Sequence, residues 1–178
     1  MSQRIAILAF AAAALVSASI DAQQITRDAV PGITNFARLE TTVACGGATK
    51  PEAVPELKKM GFASIINLRL PDERDANVDA EAAAAKAAGI TFVHIPFNVQ
   101  SPAPDLVDRF LAAVTNPANQ PAYIHCGGGS RAAAMWMIKR VEVDHWDEAR
   151  ALKEAEALGL TSSAVKDFAV NYIHTHKS

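Results

Sequence analysis

From Arg38 onward the chain alternates short β-favouring runs with stretches of helical periodicity, and this alternation restricts the architectures open to it. "FASIINL" (62–68), "ITFVHIP" (90–96) and "PAYIHC" (121–126) are apolar runs of strand length bounded by Gly, Pro or polar residues. "RLETTVACGG" (38–47) begins polar, turns β-favouring and stops at Gly-Gly. Helix formers lie between. "KPEAVPELKKMG" (50–61) carries Pro51 in its first turn, Val54, Leu57 and Met60 at helical spacing, and Gly61 as its stop. "VDAEAAAAKAAG" (78–89) is dominated by alanine, the strongest helix former, and also ends on glycine. "APDLVDRFLAAVTN" (103–116) places Leu106, Phe110, Leu111 and Val114 on one face, and three further helical segments close the chain. Strands reached through helical crossovers pair in parallel, so the expected fold is a single α/β domain with a mostly parallel central sheet flanked by helices. In such sheets ligands bind beyond the carboxyl ends of the strands, where Cys126 stands.

The first residues have a different character. Arg4 precedes the apolar stretch "IAILAFAAAALV" (5–16), and small residues follow up to Ala18 and Ala22. That order is the one of a secretory signal peptide, expected over residues 1–22, with the domain in residues 23–178. The stretch is short for a bilayer span of about 20 residues. The expected location is therefore periplasmic or secreted, with no membrane association after cleavage. Charge is near balance, with 17 basic and 19 acidic side chains, and no basic tract points to nucleic acid. His174 and His176, two apart on a helical segment, point in different directions, and no metal site or cofactor is expected.

The chemistry concentrates in "YIHCGGGSRAAAMWMIKR" (123–140). A glycine-rich passage from a strand into a helix turns backbone N–H groups inward, and the helix N-terminus adds partial positive charge. Gly127, Gly128 and Gly129 let the backbone approach an anion closely. Arg131 adds a planar fork of donors suited to a phosphate. The field that binds an anion also favours a thiolate, which makes Cys126 a candidate nucleophile towards an oxyanion substrate. A small buried cysteine beside an ordinary turn has the same local sequence.

The spacing of His125, Cys126, Gly129, Ser130 and Arg131 resembles the phosphate-binding loop of cysteine-dependent phosphatases. Four residues separate Cys126 from Arg131, one fewer than is usual there. The shorter loop is similar to that of bacterial phosphatase-like domains related to the beta-lactamase-hydrolase-like proteins. "ACGGATKPEAVPELKKMGFASIINLRLPDE" (44–73) resembles that family's opening, and "GITFVHIPF" (89–97) its next strand, so the likeness covers roughly residues 36–160. The resemblance implies a dual-specificity-like phosphatase fold and hydrolysis of a phosphorylated substrate without metal. It implies Cys126 as nucleophile, Arg131 with the amides of Gly127, Gly128, Gly129 and Ser130 as phosphate ligands, and His125 as support. The chain departs from the pattern at Ala132, where a hydroxyl is common, and at Cys45, where serine is expected. The general acid has two candidates, Asp105 after the "HIP" strand and Asp72 in "NLRLPDE"; Arg69 matches a family position as well.

Two other readings use the same loop. A rhodanese-type sulfurtransferase would carry sulfur as a Cys126 persulfide, and a non-catalytic module would bind an anion without turnover. Cys45 also follows a β-favouring run, and in an oxidising compartment it is a candidate redox partner of Cys126.

Overall fold

The computed structural model describes residues 24–176. Six strands form one sheet: β1 (Ile25–Thr26), β2 (Ala37–Leu39), β3 (Val43–Gly46), β4 (Ser64–Asn67), β5 (Thr91–His94) and β6 (Ala122–His125). Their spatial order is β1-β2-β3-β6-β4-β5. The pairs β3–β6, β6–β4 and β4–β5 are parallel, and β1–β2 and β2–β3 are antiparallel. The expected mostly parallel α/β sheet is therefore present, with an antiparallel edge.

The six helices are α1 (Val54–Lys59), α2 (Val78–Ala88), α3 (Leu106–Thr115), α4 (Ser130–Glu142), α5 (Glu148–Leu158) and α6 (Ser163–His176). Gly89 ends α2 and Gly159 ends α5 in the left-handed conformation. Strand alternation divides the core in two. Val43 and Cys45 of β3, Ile66 of β4 and Ile124 of β6 face Leu106 and Phe110 of α3 together with α4, α5 and α6. Ala44, Ile65 and Tyr123 face Val54 and Leu57 of α1 and Ala85 of α2. Among the described residues no helix is long and apolar enough to cross a membrane.

In segment 38–47 the β-favouring run is β3, and the start that reads only as polar holds the end of β2 and a turn through Glu40 at φ 45°, so the segment is a hairpin. Glu40, Thr41 and Thr42 form the turn itself, which composition alone does not separate from an exposed strand end. The leader proposed for residues 1–22 lies outside the described residues.

Candidate active site

β6 is central, flanked in parallel by β3 and β4, and the loop after it opens at the carboxyl edge of all three. The Cys126 N–H donates to the Gly46 carbonyl at 3.2 Å, so the ladder extends to the cysteine before the chain leaves the sheet. The loop carbonyls then turn outward. Gly127 O accepts from the Ala48 N–H at 2.9 Å, and Gly128 O accepts from Asn35 Nδ2 at 3.0 Å. In a trans peptide the following N–H points the opposite way, so the amides of Gly128 and Gly129 face inward. The Gly129 N–H donates to Cys126 Sγ at 3.1 Å. Gly129 has φ 107°, which side-chain-bearing residues rarely adopt. α4 starts at the next residue, and its first N–H groups lack partners within the helix, adding positive potential to the cradle.

Gly47 explains the Gly-Gly stop after β3. A Cβ there would lie 2.3 Å from Thr34 Oγ1 and 3.1 Å from the Gly127 carbonyl. The stop is a packing requirement of the neighbouring loop. Ser130 contributes its position rather than its hydroxyl. Its Oγ donates to Gly159 O at 3.2 Å and accepts from the N–H groups of Thr161 at 3.0 Å and Ser162 at 3.2 Å, which ties the loop to the α5–α6 turn.

Arg131, at the start of α4, is held on three sides. Its terminal nitrogens donate to Glu73 Oε1 at 2.6 Å and Oε2 at 2.9 Å, and Nη1 also donates to the carbonyls of Leu68 at 3.2 Å and Phe97 at 2.9 Å. Glu73 accepts in turn from Arg69 Nε at 3.2 Å and the Leu70 N–H at 2.9 Å. Burial works to raise the Glu73 carboxyl, but Arg131, the Leu70 N–H and Arg69 outweigh it and hold the group below the usual carboxylate range. Burial likewise opposes charge on Arg131, and Glu73 and Cys126 more than offset it. Glu73 also touches the loop itself, since a Cβ on Gly127 would lie 3.2 Å from its Oε2. Sequence reading passed over Glu73 for Asp72; the available signal was its spacing four residues after Arg69, in the loop beyond a strand's carboxyl end.

The remaining sequence candidates fall as follows. Cys126 is 2% exposed at the floor of the loop. His125 is fully buried on the opposite face of the sheet, its ring stacked on Tyr123. Arg69 is buried, and its guanidinium bonds the carbonyls of Arg74 and Asp75 as well as Glu73. Asp105 precedes α3 with its carboxylate 4.0 Å from Arg109, and 61% of its side chain is exposed. Asp72 is exposed on the loop between β4 and α2. No hydrogen bond or ion pair among the described residues joins either aspartate to Cys126 or Arg131, so the contacts that hold the loop do not include them. The carboxylate against the loop is that of Glu73.

Cys45 and Cys126 are free thiols on the same face of the sheet. Cys45 is in register with Ile124, two residues before Cys126 on the adjacent strand. Strands about 4.8 Å apart with a rise of about 3.3 Å per residue put the two Cα atoms about 8 Å apart. Disulfide-bonded Cα atoms lie within about 7 Å, so a direct bond requires the backbone to move. Burial above all, with the negative character of Cys126 and Glu154 added, pushes the Cys45 thiol far up, and it stays protonated. Among the described residues no group of three or more His, Cys, Asp or Glu side chains is placed to hold a metal ion.

The geometry can be set beside known proteins. The model of a family described as a DSP-PTPase phosphatase fused to NAD+ kinase matches residues 23–171. The beta-lactamase hydrolase-like protein of Xylella fastidiosa is 30% identical over 120 residues, covering 66% of this chain and 26% of that protein. The chain thus spans about a quarter of that relative's length. Among solved structures, the P. aeruginosa protein TpbA in complex with pTyr superposes with a TM-score of 0.66 at 16% identity, covering 89% of this chain and 93% of that one. The core catalytic domain of the PP-IP phosphatase SIW14 from S. cerevisiae, solved with citrate, gives a TM-score of 0.63 at 21% identity, covering 81% and 88%. These two likenesses establish the fold.

Proposed function

The chain belongs to the family described as a DSP-PTPase phosphatase fused to NAD+ kinase, by a match over residues 23–171, and from that premise we propose that it hydrolyses phosphomonoesters through a phosphocysteine. The observation that carries this reading is the loop. Its carbonyls are bonded outward, its amides face Cys126, and Arg131 is locked at its edge by Glu73. An oxyanion needs such donors already in place, because preorganised donors cost no rearrangement as charge develops.

In the first step the Cys126 thiolate attacks phosphorus. An S–P bond forms, the P–O bond to the leaving group breaks, and the bonding pair departs with that oxygen. In the second step water attacks phosphorus and the S–P bond breaks, which returns the thiolate and releases inorganic phosphate. Arg131 and the inward amides stabilise the equatorial oxygens in both steps. Ala132 supplies no hydroxyl to the departing sulfur, and the bonds of Ser130 Oγ lead to the α5–α6 turn. The Gly129 N–H is the donor that receives the thiolate.

Glu73 is held ionised and bonded to two arginines, which suits it to steering Arg131 rather than to giving a proton. The site therefore suits leaving groups that depart as weakly basic anions, and phenolates are the class we assign. TpbA has been solved with phosphotyrosine, an ester of this kind, which supports the assignment. The exported location read from residues 1–22 would put such substrates outside the cytoplasm.

The test is hydrolysis of aryl phosphates in reductant from about pH 5 to about 8, beside Cys126→Ser. Wild-type turnover that is lost in the variant, and that rises as the phenol becomes more acidic, is the expected result. A folded protein with no turnover above the variant would overturn the phosphatase reading.

A further inference from the structure

A second carboxylate lies behind the loop, on the far side of the sheet. Glu81 belongs to the first turns of α2, in "VDAEAAAAKAA", where an apolar side chain would carry no carboxylate to desolvate. Yet its side chain is 0% exposed. A carboxylate removed from water costs several kcal/mol unless hydrogen bonds or an opposite charge offset it. Two groups meet it. Asn67 Nδ2 of β4 donates to Oε2 at 2.8 Å, and Oε1 lies 2.9 Å from Nε2 of His125, also 0% exposed. The approach to His125 is close but poorly aligned for a hydrogen bond, and His125 Nδ1 has no partner. The distance is the more telling fact. Two proton-free acceptors at 2.9 Å would repel, so the contact requires a proton between them, opposite charges, or both.

His125 immediately precedes Cys126. The groups that face it are Glu81 from α2, Asn67 from β4 and Tyr123 from β6, whose ring stacks on the imidazole at 5.5 Å and 5°. In register with His125 on the two neighbouring strands stand Gly46 and Asn67. The thiol of Cys45 and the phenol of Tyr123 are both pushed up by burial and stay neutral. Tyr123 is further fixed by Thr49, with 2.7 Å between the hydroxyls. The ionisable side chains left in this part of the molecule are Glu81, His125 and Cys126.

We propose that Glu81 is a positioning residue for the nucleophile: its carboxylate keeps the His125 ring an imidazolium behind Cys126, so that the field sustaining the thiolate comes from α2 as well as from the start of α4. The loop after β4 and the start of α2 then each supply a carboxylate to one cation of the site. Glu73 serves Arg131 above the loop and Glu81 serves His125 behind it. Asn67 links the two halves, since its Oδ1 accepts from the Arg69 N–H at 2.7 Å while its Nδ2 holds Glu81. The inference needs a reactive Cys126 thiolate but no phosphate chemistry, so it stands or falls apart from the phosphatase reading.

The sign of one measurement decides it. Alkylation of Cys126 by iodoacetamide, resolved by peptide mass spectrometry, is followed from about pH 5 to about 9 in wild type and in Glu81→Gln. If Glu81 sustains an imidazolium, its loss removes a positive charge beside the thiolate. The alkylation curve then moves to higher pH, with a rate about tenfold lower near pH 6 and convergence near pH 9; a tenfold change corresponds to about one unit along the pH axis. If His125 were neutral, Glu81→Gln would only remove a negative charge near the thiolate, and the curve would move to lower pH. A shift to lower pH, or superimposed curves, overturns the proposal. In a His125→Asn background Glu81→Gln should no longer move the curve to higher pH, as a coupled pair requires. Should Glu81→Gln fail to fold, the ring nitrogen NMR shifts of His125 in wild type near pH 8, well above the ordinary imidazole value of about 6.5, decide the question, with imidazolium shifts expected and neutral-ring shifts overturning it.

Discussion

Glu73 keeps its charge because two guanidinium groups and a backbone amide face it, against the opposing effect of burial. Stability drawn from such a depressed carboxyl is fully present above the unfolded value of about 4.3 and is lost as pH falls through the lower folded value. Glu73→Gln should therefore destabilise the protein at neutral pH, by roughly 1.5–3 kcal/mol for hydrogen bonds to charged groups. The gap to wild type should close below about pH 4 in urea titrations. Its kcat/KM should fall tenfold or more, because Arg131 loses the partner that aims it. Unchanged kcat/KM with reduced stability would leave Glu73 a purely structural residue. Cys126 and Arg131 could be read from the sequence because a single loop sets their spacing. For Glu73 the sequence held only its spacing from Arg69, because its partner Arg131 lies 58 residues away and only the fold brings them together.

Among the elements, the β2–β3 hairpin sets the loop's outer wall. Ala48 and Asn35 hold the carbonyls of Gly127 and Gly128, and Gly47 leaves room for the turn. Gly47→Ala forces a Cβ against Thr34 Oγ1 and the Gly127 carbonyl, so the loop must give way. Affinity for an oxyanion such as vanadate should drop more than tenfold by calorimetry, with far-UV circular dichroism unchanged. Affinity like wild type would mean the hairpin does not shape the cradle. The helices and the parallel strands were readable because periodicity and glycine stops are local signals, as the match of 78–88 to α2 illustrates. The hairpin was not. Its strands of three and four residues are too short to carry a period, and their pairing depends on tertiary contacts.

For the molecule as a whole, the sheet divides the site between two layers: Cys126 faces α3 to α6, while His125 faces α2. A ligand that binds the folded cradle should stabilise the entire domain. An oxyanion at one hundred times its dissociation constant adds about 2.7 kcal/mol, or about 5–10 °C in Tm for a domain of this size. Scanning calorimetry checks this, and an unchanged Tm would mean that the folded domain does not bind the anion. Thiol titration of protein purified without reductant should find two free thiols after unfolding, because the register of β3 and β6 keeps Cys45 and Cys126 apart. Recovery of none would show that the strand ends move enough to join them.

Ser130 Oγ holds the amides of Thr161 and Ser162, which lie in the turn between two helices that contribute no proposed phosphate ligand. Those two amide protons can exchange with solvent deuterium only when that junction opens. Filling the cradle should damp the opening, so the α5–α6 turn would act as a remote gauge of occupancy, readable by exchange mass spectrometry without any label near Cys126.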